Sequence, residues 1–430
     1  MSGVSRKSPI LSIWFACVIG GLASFLLSLR VGLNSWSFPD AVHFIKQANA
    51  MNSGFQYMEN NPDEMQFPFG LPTIIAIMFR IQGSDSLMTS KLILICFHVA
   101  ALICFTLIVR KIIVNPKIQF ITILAFSFDP FILSQAIDLQ TEPITTFFIL
   151  WWCYVYLSEI RETKRGFLTI VLFYLSGIFE VITRPNSLIP FIGIGVLVFM
   201  KHRKSEMLLK FHLLGMSIFL GGLLIFQAFL WTVFGGFFFL AANGGQNLVL
   251  ACRHEFVPQY LGLASESQNQ DINAWYFQYL NDIISKIMSD QTMVSIPQLN
   301  KELFKIGFEN CTNNLLETTG LIVLKVFGLW RPSTVFGAYG ATIFVLSILI
   351  WLPLSIAACV YMLRKTSDLY QQEFKYFIIT LWVLFTISLF PSATQIRHRI
   401  AFSEPFLWII AGLLLSNFLK RKHDKEIDRL

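Results

Sequence analysis

The segment Ser35–Pro72, SWSFPDAVHFIKQANAMNSGFQYMENNPDEMQFPFGLP, interrupts two strongly apolar runs and carries Asp40, Glu59, Asp63 and Glu64 in a chain that is otherwise basic and oily. Acidic side chains beside a bilayer are costly to hold and poor anchors, so a cluster of them just outside a first span needs a chemical reason. The run before it, residues 9–30, is long enough to cross a bilayer and shows no small-residue cleavage pattern ahead of the polar segment, so it reads as a retained helix.

Composition agrees with that start. The 430 residues are 55% hydrophobic, 15% aromatic and only 14% charged, with a mean hydropathy of +0.61. That leaves too little polar surface for a soluble globule of this length. The expected fold is all-α: one polytopic integral membrane domain over residues 1–430, with about ten transmembrane helices. They fall at 9–30, 85–109, 118–137, 141–159, 166–182, 186–200, 208–234, 338–363, 374–391 and 400–419.

Net charge is +7, but the cations gather in short clusters at span ends rather than on one face, which excludes a nucleic-acid footprint. Arg110/Lys111/Lys117, Lys201/Arg203/Lys204, Arg364/Lys365 and the tail from Lys420 close alternate spans. Under the positive-inside rule both termini are cytoplasmic. The first loop (31–84), a long loop (235–337) and turns near Asp138, Arg184 and 391–399 then lie outside. The host membrane reads as a bacterial inner membrane, or that of the endoplasmic reticulum in a eukaryote. No ATP-binding loop or soluble nucleotide-binding domain occurs, so outer-face chemistry would need an activated substrate already delivered there, as on a lipid carrier.

Two stretches read as interfacial helices flanking an entrance for such a substrate. Pro68–Arg80 is too short to span comfortably and opens with Pro68, Gly70 and Pro72. Leu315–Trp330 is amphipathic, and Trp330 with Arg331 pairs an aromatic anchor with a cation at headgroup depth.

Asp40 follows Pro39 at an expected helix start, where it or Ser37 could cap, and Asp40, His43, Phe44 and Gln47 share one helical face. Either Asp40 is an acid favoured by the helix dipole, or it is a general base that takes a proton from an incoming hydroxyl. In the outer turn Asp138-Leu139-Gln140-Thr141-Glu142-Pro143, the two acids sit at i, i+4 if helical; Glu142 opens a deeply apolar span, where acids face cavities. Arg184, Arg397, Arg399 and Lys91 suit a lipid phosphate or snorkel to headgroups. An outer Arg397/Arg399 pair runs against the charge bias and calls for a counter-charge or anion. His43, Glu59, Asp63 and Glu64 read as the substrate rim. The four first-loop acids leave a divalent cation open as cofactor, although their spacing is no recognised ligand pattern, and no CxxC or HExxH occurs. Of seven cysteines, only Cys252 and Cys311 fall in the long outer loop, which makes them a disulfide candidate.

The chain resembles the GT-C superfamily of membrane glycosyltransferases, particularly the bacterial relatives of dolichyl-phosphate-mannose protein mannosyltransferases and of lipid A aminoarabinose transferase. The resemblance rests on order: Pro39-Asp40-Ala41, Pro68-Phe69-Gly70-Leu71-Pro72, Asp129-Pro130-Phe131, Thr141-Glu142, Thr183-Arg184-Pro185, then Arg397-His398-Arg399-Ile400 and Glu404-Pro405-Phe406-Leu407. The run Asp40–Phe44 also resembles the first loop of the GPI second-mannose transferases. The resemblance implies inverting transfer of a sugar from a polyprenyl-phosphate donor to a protein, lipid or glycan acceptor. It implies Asp40 as base, Glu142 or Asp138 as support, and Arg397, Arg399 and Arg184 on the donor phosphate. The family tail reads Arg-aromatic-Arg-x-Pro, whereas His398 and Ala401 stand here. A lipid-linked sugar flippase or transporter, and a non-catalytic subunit of a glycan assembly complex, stay open as other readings. No internal repeat of transporter type is visible.

Overall fold

The computed structural model describes residues 10–36, 40–54, 68–158, 167–202, 205–236, 244–289, 295–334, 336–366, 368–390 and 397–427. These are helical throughout, with no strand among the described residues. In chain order the helices are α1 Ile10–Val31, α2 Ala41–Asn52, α3 Gly70–Gln82, α4 Met88–Ile112, α5 Pro116–Ser127, α6 Pro130–Ala136, α7 Glu142–Ser158, α8 Phe167–Thr183 and α9 Leu188–His202. Then come α10 Glu206–Phe234, α11 Gly244–Ala251, α12 Val257–Leu261, α13 Glu266–Ser289, α14 Ile296–Thr312, α15 Leu315–Trp330, α16 Phe336–Leu363, α17 Leu369–Ser388 and α18 Arg397–Ile427.

Five helices are long and apolar enough to cross a membrane: α1, α4, α10, α16 and α18. A sixth span forms if α5 and α6, bent by 53° at Phe128–Asp129, count as one. The other expected spans are helices too, but α7, α8 and α9 have only 17, 17 and 15 residues. At 1.5 Å per residue, the longer two reach about 25 Å, short of a ~30 Å hydrocarbon core. Helix α17 has the length, but its first two turns, LYQQEFKY, are polar.

Local chemistry explains the breaks. Asn115-Pro116 and Asp129-Pro130 each place an acceptor side chain at the N-cap and proline at the first helical position; Asn115 accepts from the Lys117 N–H at 3.0 Å and Asp129 from the Phe131 N–H at 2.9 Å. In the bundle α4 packs on α1 and α7, α8 on α10, α9 on α17 and α16 on α18. Leu22, Leu224, Ile225 and Leu349 on the outer helices stay exposed, as lipid-facing residues should.

Residues 244–330 build a second layer of short helices. Val249, Leu280, Ile284, Ile287, Leu299 and Leu303 form its core, and α11 crosses α14 so closely that a Cβ on Gly307 would lie 2.6 Å from the Val249 nitrogen. Cys252 and Cys311, 59 residues apart, are joined there in a disulfide.

One of the two interfacial helices, α3, buries one face against α2 and α8, with Leu71 and Ile75 fully covered, and leaves Ile77 and Ile81 exposed at 47% and 71%. The anchor assigned to the other changes. Arg331 is no headgroup anchor. It is buried, and its guanidinium donates to the carbonyls of Ser333 at 3.0 Å, Tyr260 at 2.6 Å and Gln259, while Trp330 donates to Thr386 Oγ1 at 2.9 Å. Three carbonyls of an adjoining turn and its own loop outcompete the headgroups for this cation.

Candidate functional site

Proline at 185 disfavours the helical conformation for the residue before it. Arg184 accordingly adopts φ −145°, ψ 91°, ends α8 and turns its side chain toward the start of α7. There its Nη2 meets Glu142 Oε1 at 3.3 Å, both side chains nearly closed to solvent. One turn earlier Glu180, fully buried, accepts from Ser187 Oγ at 2.7 Å. Two carboxylates thus lie within electrostatic reach of one guanidinium. Thr145 lies beside the Glu180 carboxylate, while Arg184 Nη1 has no hydrogen-bond partner among the described residues. Buried groups with open valences need a ligand, an ion or water.

A second ionic centre adjoins this one. Arg184 lies over the Phe402 ring at 5.9 Å, and Arg399, three residues earlier on α18, shares that helical face. Arg399 Nε pairs with Glu404 Oε1 at 3.3 Å, its Nη1 donates to the Leu329 and Arg331 carbonyls at 3.1 and 2.8 Å, and its guanidinium stacks on Trp351 at 4.7 Å. Ser403 donates to the other Glu404 oxygen at 2.5 Å. Asp129 completes the cluster, accepting from Trp408 Nε1 at 2.9 Å. The counter-charge of Arg399 is therefore Glu404 of the same helix. Arg399 is held as a structural cation, with only Nη2 unpartnered among the described residues.

Asp40 reaches this region through backbone packing. It occupies the N-cap position of α2 but makes no capping hydrogen bond with its side chain, so helix capping does not account for the acid. Phe44 and Gln47 of the expected face are buried, with Asp40 and His43 half-buried. Helix α2 packs on α3, and α3 starts against the end of α8. A Cβ on Gly70 would lie 2.0 Å from Thr183 Oγ1 and 2.5 Å from Thr183 Cα, so only glycine fits next to the Arg184 turn. On its other side Asp40 faces α13: burial, and second the Asp40 carboxylate, push the Tyr276 phenol up.

The remaining candidates scatter. Asp138 lies within electrostatic reach of Lys91, which is buried and donates to the Gly32 carbonyl at 2.9 Å. Lys91 thus ties α4 to the end of α1. Arg397 opens α18, but its side chain lies outside the described residues, as do Glu59, Asp63 and Glu64. No group of three or more His, Cys, Asp or Glu suited to a metal occurs among the described residues.

Lys325 was not visible as a site residue in the sequence. It is 2% exposed, in the middle of α15, and donates to the Phe390 carbonyl at 2.9 Å. Burial pushes its ammonium down to about 7, and it forms no ion pair with a carboxylate among the described residues. Glu180 and Glu404 were likewise missed. The available signal was an ionisable residue in an apolar run, which is a site candidate by default.

No family model matches the chain, and no curated protein or solved structure matches it.

Proposed function

We propose that this chain is a membrane glycosyltransferase of the GT-C type, moving a sugar from a polyprenyl-phosphate donor to an acceptor hydroxyl at the outer or lumenal face. In this reading α5/α6, α7, α8, α9 and α17 complete ten spans, and both termini are cytoplasmic. The observation that supports it most is the setting of Asp40. Its half-buried carboxylate lies beside Tyr276 of α13, on a helix that packs through α3 against the end of α8, where Arg184 meets Glu142.

The chemistry is a single displacement. Asp40 takes the proton of the acceptor hydroxyl as its oxygen bonds to the anomeric carbon, and the bond from that carbon to the phosphate oxygen breaks. Polyprenyl phosphate leaves with the electron pair and the configuration inverts. Arg184, whose Nη1 is open, and Lys325 suit the donor phosphate better than Arg399, whose donors are mostly taken. Glu142 orients Arg184.

Purified protein with a lipid-linked sugar donor tests this directly. Asp40→Asn should lower kcat by about 10²–10⁴-fold, the usual worth of a general base, with donor binding intact. Transfer at the wild-type rate would remove the base assignment, and lipid movement without transfer in the wild type would favour a flippase.

A further inference from the structure

A second site lies at the opposite end of the bundle. Arg364, just past α16, and Leu414, Leu415, Phe418 and Arg421 of α18 line a notch of about 360 Å³. Leu414, Phe418 and Arg421 stand at i, i+4 and i+7, one stripe on the helix. Along α18 the stripe runs about 10 Å from leucine to arginine. Leu415 and Phe418 are exposed at 41% and 63%. The floor is apolar and the rim carries both guanidiniums.

The neighbouring cation is already committed. Lys375 donates to the Arg364 carbonyl at 3.2 Å and to that of Met362, neutralising the C-terminal end of α16. Arg364 and Arg421 are exposed, and among the described residues they form no ion pair and no carboxylate lines the notch. Two guanidiniums from different helices converging on one small cavity repel each other unless an anion sits between them. Simple snorkelling would send each to its own headgroup and needs no shared cavity. Both belong to clusters that the positive-inside rule assigns to the cytoplasm, where anionic lipids supply phosphate at this depth and an acyl chain below it.

The geometry points to a binding site for one anionic phospholipid in this notch, its phosphodiester between Arg364 and Arg421 and an acyl chain over Leu414, Leu415 and Phe418. The site is independent of the outer-face chemistry.

Native mass spectrometry of the full-length protein in detergent, titrated with phosphatidylglycerol or phosphatidylcholine of matched chains, tests it. At about 1 kcal/mol per cation near a membrane surface, R364Q/R421Q should weaken phosphatidylglycerol binding roughly thirtyfold and phosphatidylcholine, whose choline cation offsets its phosphodiester, by clearly less. The control R110Q/K117Q removes the same charge from another exposed cluster and should bind as wild type. Equal loss in the control, no loss in R364Q/R421Q, or displacement of the lipid by soluble glycerophosphate at matched concentration would each overturn the proposal.

Discussion

Arg399 and Glu404 meet at 3.3 Å with their side chains 1% and 0% exposed, five residues apart on one helix, where Arg399 also donates to the Leu329 carbonyl of α15 and stacks on Trp351 of α16. Charges taken out of water at this depth gain little as a pair relative to apolar residues, but either one left alone is expensive. Arg399→Met or Glu404→Leu alone should therefore destabilise the protein by about 3–5 kcal/mol, and R399M/E404L by clearly less than the worse single variant. Thermal unfolding of detergent-purified protein reads this. Additive losses would mean that the two groups act separately.

Arg184 has a different prospect, because one of its nitrogens is open. Arg184→Lys keeps the charge and loses the fork, so one charge-assisted hydrogen bond to the donor phosphate should go. Donor KM should rise roughly tenfold or more, from the ~1.5–3 kcal/mol such a bond contributes. An unchanged KM removes Arg184 from the donor site.

Lys325 makes stability depend on pH in a defined direction. Its folded value, about 7, lies below the ordinary 10.5. Between those values the unfolded chain binds a proton that the folded chain has released, so stability rises with pH across that window, and the penalty is fully present below pH 7. Lys325→Met should stabilise the protein most below pH 7 and flatten the profile from pH 7 to 10. If the lysine binds donor phosphate, the same variant loses donor affinity while gaining stability. Parallel pH profiles for the two proteins would sink the assignment.

The disulfide closes a 59-residue separation inside the layer that α11 and α14 build. Cys252→Ser with Cys311→Ser should cost up to about 4 kcal/mol by the loop-entropy account. The loss should be local: hydrogen exchange accelerates in α11 and α14 and stays unchanged in α4 and α18. Uniform acceleration would show that the layer is not a separate cooperative unit.

Where the physics is local, the sequence already carries it. Thr183-Arg184-Pro185 encodes the turn that aims Arg184, Asp129-Pro130 encodes the break between α5 and α6, and hydropathy locates a helix in every expected interval. What depends on a distant partner is not legible. The apolar face of Gly70–Gln82 looks like a lipid face until α2 and α8 cover it. Arg331 looks like an anchor until the Gln259 and Tyr260 carbonyls are beside it. Glu404 is five residues from Arg399, outside the i, i+3 and i, i+4 spacings that signal a pair on a helix, so the spacing gives no sign of their contact.

The contact between Gly70 and Thr183 sets α3 directly against the end of α8, with no charged group at the contact. Its register is set by the size of a hydrogen atom. Such a joint ignores ionic strength and proton concentration, so conditions that loosen every ion pair around it would still leave α3, and the acid-bearing helix packed on it, in the same place against α8.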